Sequence, residues 1–248
     1  MPSTLVIIPA HNEAENLLHV LPLIREVVPE ADILVVDDYS TDATSEIASQ
    51  LGAIVVRLPN NLGYGGAVQT GFRFGARCGY DYGITMDADG QHDPSNVPDL
   101  LAHVQSDSCD LVVGSRFTGT MTYRASWVRR LGMRVFAGIA SYLTKSQVTD
   151  ATSGFQAMTG EVMEFLAVED YPSDYPDADT LIMLHYAGFQ VEEIPVTMHD
   201  RLSGEAMHGN ILKNFYYIFK MLLSMTIVYF RHRTYTGSQR NSTAANAT

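Results

Sequence analysis

Cysteine is nearly missing from this chain: Cys78 and Cys109 are the only two in 248 residues. That excludes a disulfide-dense secreted scaffold and fits a reducing compartment. Two cysteines without ligand-spaced histidines also exclude a cysteine-rich zinc centre. Cations are scarce as well. The chain has 16 Lys and Arg against 28 Asp and Glu, a net charge of −12. Bulk electrostatics therefore exclude nucleic acid as a partner. No cationic start precedes Leu5, and Pro9 stops the first apolar run. The opening thus lacks a secretion signal, and the expectation is a cytosolic protein.

Each sign of charge is also missing regionally. Residues 111–149 hold 6 basic and no acidic groups, whereas residues 150–200 hold 11 acidic and no basic ones. A second basic stretch, 201–248, carries 6 cations and 1 anion. Such segregation costs self-repulsion unless each basic stretch meets an anion.

What is present is a foldable composition. The apolar fraction is 46% and the charged fraction 18%, enough for a core, and the length allows one domain plus a short appendage. Apolar runs at Leu5–Ile8, Ile33–Val36, Ile54–Val56, Tyr82–Met86 and Leu111–Val113 read as buried strands. Helical patterns separate them. Leu17, Leu21, Ile24 and Val28 recur at helical spacing, with Pro22 predicting a kink or a late start. Thr41–Leu51 reads as a second helix capped by Ser40, Thr41 or Asp42. A third follows a glycine-rich loop and runs to about Ala76, and Pro94 opens a fourth. Further helices are predicted over 126–145 and 178–187, with a strand at Val191–Val196. The alternation predicts an α/β domain, a mostly parallel sheet with helices on both faces. Its ligand site would lie beyond the carboxyl ends of the strands.

The residues after each strand are accordingly the ones that carry chemistry. Met86-Asp-Ala-Asp-Gly-Gln91 places Asp87 and Asp89 around one small residue. Two desolvated carboxylates repel, and a divalent cation with a diphosphate resolves this; a capping turn before Pro94 is the plainer alternative. Asp37 and Asp38 follow the second strand, either capping a helix or contacting a ribose or base. In Pro9-Ala-His-Asn-Glu13, Asn12 and Glu13 either cap a helix or accept hydrogen bonds from a nucleotide. Asn60-Asn-Leu-Gly-Tyr-Gly-Gly-Ala67 resembles a phosphate loop but lacks its Lys-Ser/Thr, and a tight turn packing a helix explains it equally well.

In this order these elements resemble the GT-A glycosyltransferases of family 2, in particular the polyprenyl-phosphate sugar transferases of the dolichol-phosphate mannosyltransferase type. Gly114-Ser-Arg-Phe117 and Thr152-Ser-Gly-Phe155 extend the likeness, which spans residues 5–155 and continues loosely to about 205. The resemblance implies a GT-A (Rossmann-like) fold over 1–205 and an inverting transfer of sugar from a nucleoside diphosphate (UDP or GDP) to polyprenyl phosphate. Pro9, His11, Glu13, Asp38, Asp87 and Ala88 would hold the nucleotide. Asp89 and Gln91 would bind Mg²⁺ or Mn²⁺. Asp87, Asp89 and Arg116 would form the catalytic set, and Arg116, Arg129, Arg130 and Arg201 would receive the acceptor phosphate. The chain departs from the family at His11, where Tyr is common, at Tyr39, where Gly is common, and at Met207-His208, where many relatives carry Ser-Lys.

A lipid phosphate is anionic near neutral pH and needs no general base. A sugar-hydroxyl acceptor, the alternative on the same fold, requires one, with Asp177, Asp179 and Asp150 as candidates. Asp179 equally suits a helix N-cap. A nucleotide-binding regulatory module without turnover is the reading of another class. Residues 211–230 are mostly apolar, with Lys213, Tyr217, Lys220 and Ser224 in one stripe. They predict an amphipathic helix, within 206–236, that lies at the inner membrane face, with packing on a second subunit or a membrane span as the alternatives. Residues 237–248 read as a disordered tail.

Overall fold

The computed structural model describes residues 2–106, 108–117, 127–145, 147–168, 178–200 and 220–230. Seven strands form one sheet: β1 Thr4–Ala10, β2 Asp32–Asp37, β3 Ile54–Arg57, β4 Tyr82–Thr85, β5 Leu111–Ser115, β6 Gln156–Thr159 and β7 Val191–Pro195. Their spatial order is β3-β2-β1-β4-β6-β5-β7. β1 pairs in parallel with β2 and β4, and β5 with β7. β6 runs antiparallel to both β4 and β5. Residues just before β6 therefore share an edge with residues just after β4 and β5.

Period-two alternation builds the two cores. Leu5, Ile7, Leu34 and Val36 point to one face, under α3 Gly63–Cys78, α5 Trp127–Thr144, α6 Gly160–Val168 and α7 Ala178–Ala187. Val6, Ile8, Ile33 and Val35 point to the other, under α1 Ala14–Val27, α2 Thr44–Gln50 and α4 Val97–Val104. Helix α3 lies so close to β1 that a Cβ on Gly71 would stand 2.3 Å from Ile7 Cγ2. Glycine at that position is what lets the two backbones approach.

The five early strands, the strand at 191 and the helices at 126–145 and 178–187 match the sequence reading. Pro22 does not delay α1, which starts at Ala14. Pro22 and Leu18, whose carbonyl the proline leaves unbonded, both face solvent, where water replaces the lost bond. Helix α2 starts at Thr44, because Asp42 accepts from the Thr44 amide at 3.0 Å and holds residues 41–43 outside the helix. Pro94 opens a short 3₁₀ turn over Pro94–Asn96 before α4, capped by Asp93. Residues 220–230 are helical; the remainder of 206–236 and the 237–248 tail lie outside the described residues. Among the described residues no helix is long and apolar enough to cross a membrane.

Candidate functional site

Every strand-end motif converges on the carboxyl edge of the sheet. At the end of β1, Pro9 and Ala10 are buried within the strand. The Asn12 side chain is oriented by accepting from the Thr41 amide at 2.8 Å, which turns its Nδ2 toward His11 Nε2 at 3.2 Å. His11 Nδ1 then donates to the Asp38 carbonyl at 2.8 Å. These contacts select the Nδ1–H tautomer of His11. The Glu13 carboxylate accepts from Asn16 Nδ2, and its amide donates to Thr44 Oγ1 at 3.0 Å.

At the end of β2 the two aspartates divide their work. Asp37 accepts from the Ser40 amide at 2.8 Å and from Ser45 Oγ. Asp38 accepts from the amides of Leu62 at 2.7 Å and Gly63 at 2.9 Å. Those are the donors that a phosphate would need at the start of α3. The carboxylate occupies them, so the glycine-rich run acts as a tight turn packing a helix rather than as a phosphate loop.

Beyond β4, Asp87 Oδ1 accepts from Tyr64 Oη at 3.0 Å. The Asp87 amide donates to His92 Nδ1 at 3.0 Å, so His92 carries its proton on Nε2, which stands 3.6 Å from Asp87 Oδ2. His92 is buried and stacks on Phe155 with ring centroids 4.8 Å apart. Ala88 and Asp89 are buried, and Asp89 Oδ1 accepts from the Gln91 amide at 2.9 Å. Two carboxylates on one tight turn form a hard-oxygen donor set that fits Mg²⁺ or Mn²⁺. Gly154, just before β6, abuts this turn: a Cβ there would stand 2.6 Å from Tyr64 Oη and 3.6 Å from Asp87 Oδ1.

Arg116, just after β5, is clamped. Its Nε and Nη2 donate to the Asp150 carboxylate at 2.7 and 2.6 Å, and Nη2 also reaches Thr152 Oγ1 at 2.5 Å. Glu193 of β7 fixes the loop behind this pair by accepting from the amides of Thr149 at 2.8 Å and Asp150 at 3.1 Å. Asp150 is thus the partner of Arg116, which takes it out of the list of candidate bases. The Arg116–Asp150 pair also joins the basic 111–149 stretch to the acidic one that follows it. The turn after β4 is tied to the chain preceding Arg201 as well. The His199 amide donates to the Gln91 carbonyl at 2.8 Å, and His199 Nε2 meets Asp93 Oδ2 at 3.0 Å.

Asp179 is buried in the first turn of α7, where it accepts from the Thr180 amide at 2.9 Å and from Ser224 Oγ of the 220–230 helix. Arg129 and Arg130 belong to the start of α5, and their side chains lie outside the described residues, as do Asp177 and Arg201. Tyr64, His92, Glu193 and His199 were not singled out from sequence. Tyr64 and His92 stood inside runs already marked for other residues, so position in a run was the only available signal. Glu193 and His199 act through contacts that need the folded register.

The residues 5–166 match the family model described as glycosyl transferase family 2. The undecaprenyl-phosphate mannosyltransferase of Micrococcus luteus is 34% identical over 225 residues, covering 84% of this chain and 88% of that protein. The polyprenol monophosphomannose synthase of Mycolicibacterium smegmatis is 35% identical over 210 residues, covering 81% and 79%. Among solved structures, glucosyl-3-phosphoglycerate synthase from Mycobacterium tuberculosis, in complex with Mn²⁺ and UDP-glucose, superposes with a TM-score of 0.67 at 20% identity. It covers 91% of this chain and 78% of that one. The fold is therefore GT-A-like, and the chain belongs to glycosyl transferase family 2.

Proposed function

We propose that the protein transfers a sugar from a nucleoside diphosphate to a polyprenyl phosphate, with inversion at the anomeric carbon. One observation carries the reading: the carboxylates of Asp87 and Asp89 and the clamped guanidinium of Arg116 leave strands β4 and β5 onto one edge, with Gly154, just before the intervening β6, against the Asp87 turn. Anionic and cationic groups so placed suit a metal-bound diphosphate facing a second phosphate. One curated relative is named for mannosyl transfer to undecaprenyl phosphate and the other for synthesis of polyprenol monophosphomannose, so both names specify mannose and a polyprenyl carrier.

Asp89 and Gln91 would hold Mg²⁺ or Mn²⁺, which when bound neutralises charge on the departing diphosphate. Pro9, His11, Glu13, Asp38, Asp87 and Ala88 line the strand ends that would receive the nucleotide. A lipid phosphate oxygen attacks the anomeric carbon as the bond to the diphosphate oxygen breaks, so no proton has to be removed. The protein's work is then positioning and charge stabilisation. Arg116 would orient the acceptor phosphate, with Arg129, Arg130 and Arg201 adding charge. The buried, hydrogen-bonded state of Asp179 supports this acceptor over a sugar hydroxyl, which needs an accessible base. The 220–230 helix would sit at the membrane surface, where the lipid is.

The test is transfer of label from UDP- and GDP-sugars to short polyprenyl phosphate, with Mg²⁺ or Mn²⁺ and with EDTA. The expected result is a lipid-linked sugar that forms only with metal and is lost in Asp89→Ala. Metal-dependent donor hydrolysis without lipid product would overturn the acceptor. No turnover of any donor would favour the regulatory module.

A further inference from the structure

The end of the sheet opposite the donor edge holds a second set of ligating side chains. His103 lies in the last turn of α4, Cys109 two residues before β5, and Glu192 in β7, where it pairs in register with Val112. Among the described residues, only these three bring the ligating atoms of His, Cys, Asp or Glu side chains together in a group of three, all within 4.8 Å of one another. His103 Nε2 stands 2.6 Å from Glu192 Oε2. Helix α4, the chain leading into β5 and strand β7 thus bring one nitrogen, one sulfur and one oxygen within 4.8 Å of one another.

We propose that His103, Cys109 and Glu192 form a metal site of their own, selective for Zn²⁺ or a similar thiophilic divalent ion. The donor types decide the metal. Zn²⁺ accepts imidazole, thiolate and carboxylate in a tetrahedral shell, with water in the fourth place. Mg²⁺ and Mn²⁺, which suit the all-oxygen turn at Asp87 and Asp89, have no preference for a thiolate. Burial pattern supplies an entry path: Cys109 is 5% exposed, whereas the His103 and Glu192 side chains are 35% and 46% exposed. An ion would therefore enter from solvent past the two outer ligands and meet the sulfur last.

Binding moves protons in a defined way. Burial, opposed in part by the Ser108 hydroxyl and reinforced by the charges of Glu192 and Asp110, pushes the Cys109 thiol up, so Zn²⁺ displaces a proton from sulfur. To ligate through Nε2, His103 must carry its ring proton on Nδ1. Bound metal would join α4, β5 and β7, far from the sugar-transfer edge, which makes the site independent of the transferase reading.

The experiment is titration of the reduced, metal-free full chain with Co²⁺, read as thiolate-to-cobalt charge-transfer absorption, followed by displacement with Zn²⁺. The expected result is one equivalent of thiolate-bound Co²⁺. That band survives Cys78→Ser, disappears in Cys109→Ser, and needs at least about tenfold more Co²⁺ in His103→Gln or Glu192→Gln. The latter two positions are partly exposed, so they report on the site even if Cys109→Ser folds poorly. Absence of a thiolate band, or a band lost with Cys78 and unchanged by His103→Gln, would overturn the site. Lipid transfer by Cys109→Ser with Mn²⁺ supplied should match the parent protein, so failure of the transferase reading is scored separately.

Discussion

Arg116 and Asp150 meet through two parallel hydrogen bonds of 2.7 and 2.6 Å, with the carboxylate wholly buried and the arginine side chain 16% exposed. Such a fork holds a cation in one orientation, which an ammonium cannot reproduce. Arg116→Lys should therefore lower kcat by about 100-fold, as loss of a positioned charge-stabilising donor does, with a smaller change in donor KM. Asp150→Asn leaves the arginine without its counter-charge and should cost about 3 kcal/mol of stability. Steady-state kinetics and urea unfolding check the two. Near-normal kcat in Arg116→Lys would remove Arg116 from the reacting edge.

Tyr64, Asp87 and Gly154 form a compact triangle. Tyr64→Phe deletes the hydrogen bond to Asp87 and should raise donor KM several-fold at a stability cost of about 1 kcal/mol. Gly154→Ala drives a methyl to 2.6 Å from the phenol oxygen and should cost about 1–3 kcal/mol by overpacking. In the Tyr64→Phe background that oxygen is gone, so Gly154→Ala should cost less. A double-mutant cycle measures the coupling, and additive effects would show that the methyl is accommodated elsewhere.

The contrast between what the sequence revealed and what it hid follows the range of the interactions. Leu5–Ile8 and Ile33–Val36 declare themselves because apolar runs between prolines and polar turns are local signals. β6, Gln156–Thr159, does not: four residues without β-branched or aromatic content in the middle carry no strand signature, and only its pairing with β4 and β5 makes it one. The strand ends Asp37-Asp38, Asp87-Ala-Asp89 and Arg116 are legible because an α/β sheet fixes where ligands bind. Who partners whom is not. Arg116 finds Asp150 34 residues on, and Asp38 spends its oxygens on the amides of Leu62 and Gly63, pairings set by register and loop path.

Tyr39 is one departure from the family pattern that the backbone explains. It has φ 62°, in the left-handed region where glycine, the residue the family resemblance implies, carries no penalty. A side chain there costs about 1–2 kcal/mol, against about 0.5–1 kcal/mol of extra chain entropy lost by glycine on folding. Tyr39→Gly should therefore gain about 0.5–1 kcal/mol in urea unfolding. Tyr39→Ala keeps the strain and should gain nothing. Equal effects of the two would show that the ring, not the backbone, sets the energy.

Acid should weaken the β2 edge through Asp37. Burial alone would raise its carboxyl, but hydrogen bonds from Ser40 and Ser45 and the charge of Arg57 outweigh burial and hold it below the ordinary 3.8. The folded group thus titrates lower than the unfolded one. Its stabilisation is complete above about pH 4 and is lost as pH falls through the folded value. Asp37→Asn should be less stable than the parent at pH 7, and its stability should fall less steeply below about pH 4. Urea midpoints from pH 6 to pH 2 test this, and parallel pH profiles for the two proteins would assign the acid sensitivity to other carboxylates.

The 220–230 helix turns Met221, Met225 and Val228 into the core and binds Asp179 through Ser224. The predicted polar stripe is therefore directed at the domain where Ser224 lies, and the outward side is apolar apart from Thr226. Leu223, Ile227 and Phe230 recur at spacings of 4 and 3, with Ile227 and Phe230 56% and 58% exposed. A stripe of this kind gains by entering the acyl boundary of a bilayer. Each fully buried Leu or Ile contributes about 1.5–3 kcal/mol, so Leu223→Ser with Ile227→Ser should weaken partition to vesicles of phosphatidylcholine and phosphatidylglycerol by more than about tenfold. Folding should be spared, because neither side chain belongs to the core. Sedimentation with vesicles reads the partition, and analytical ultracentrifugation reads the oligomer. Unchanged partition together with a lost dimer would assign the stripe to a subunit interface, since the same apolar face cannot be buried in both.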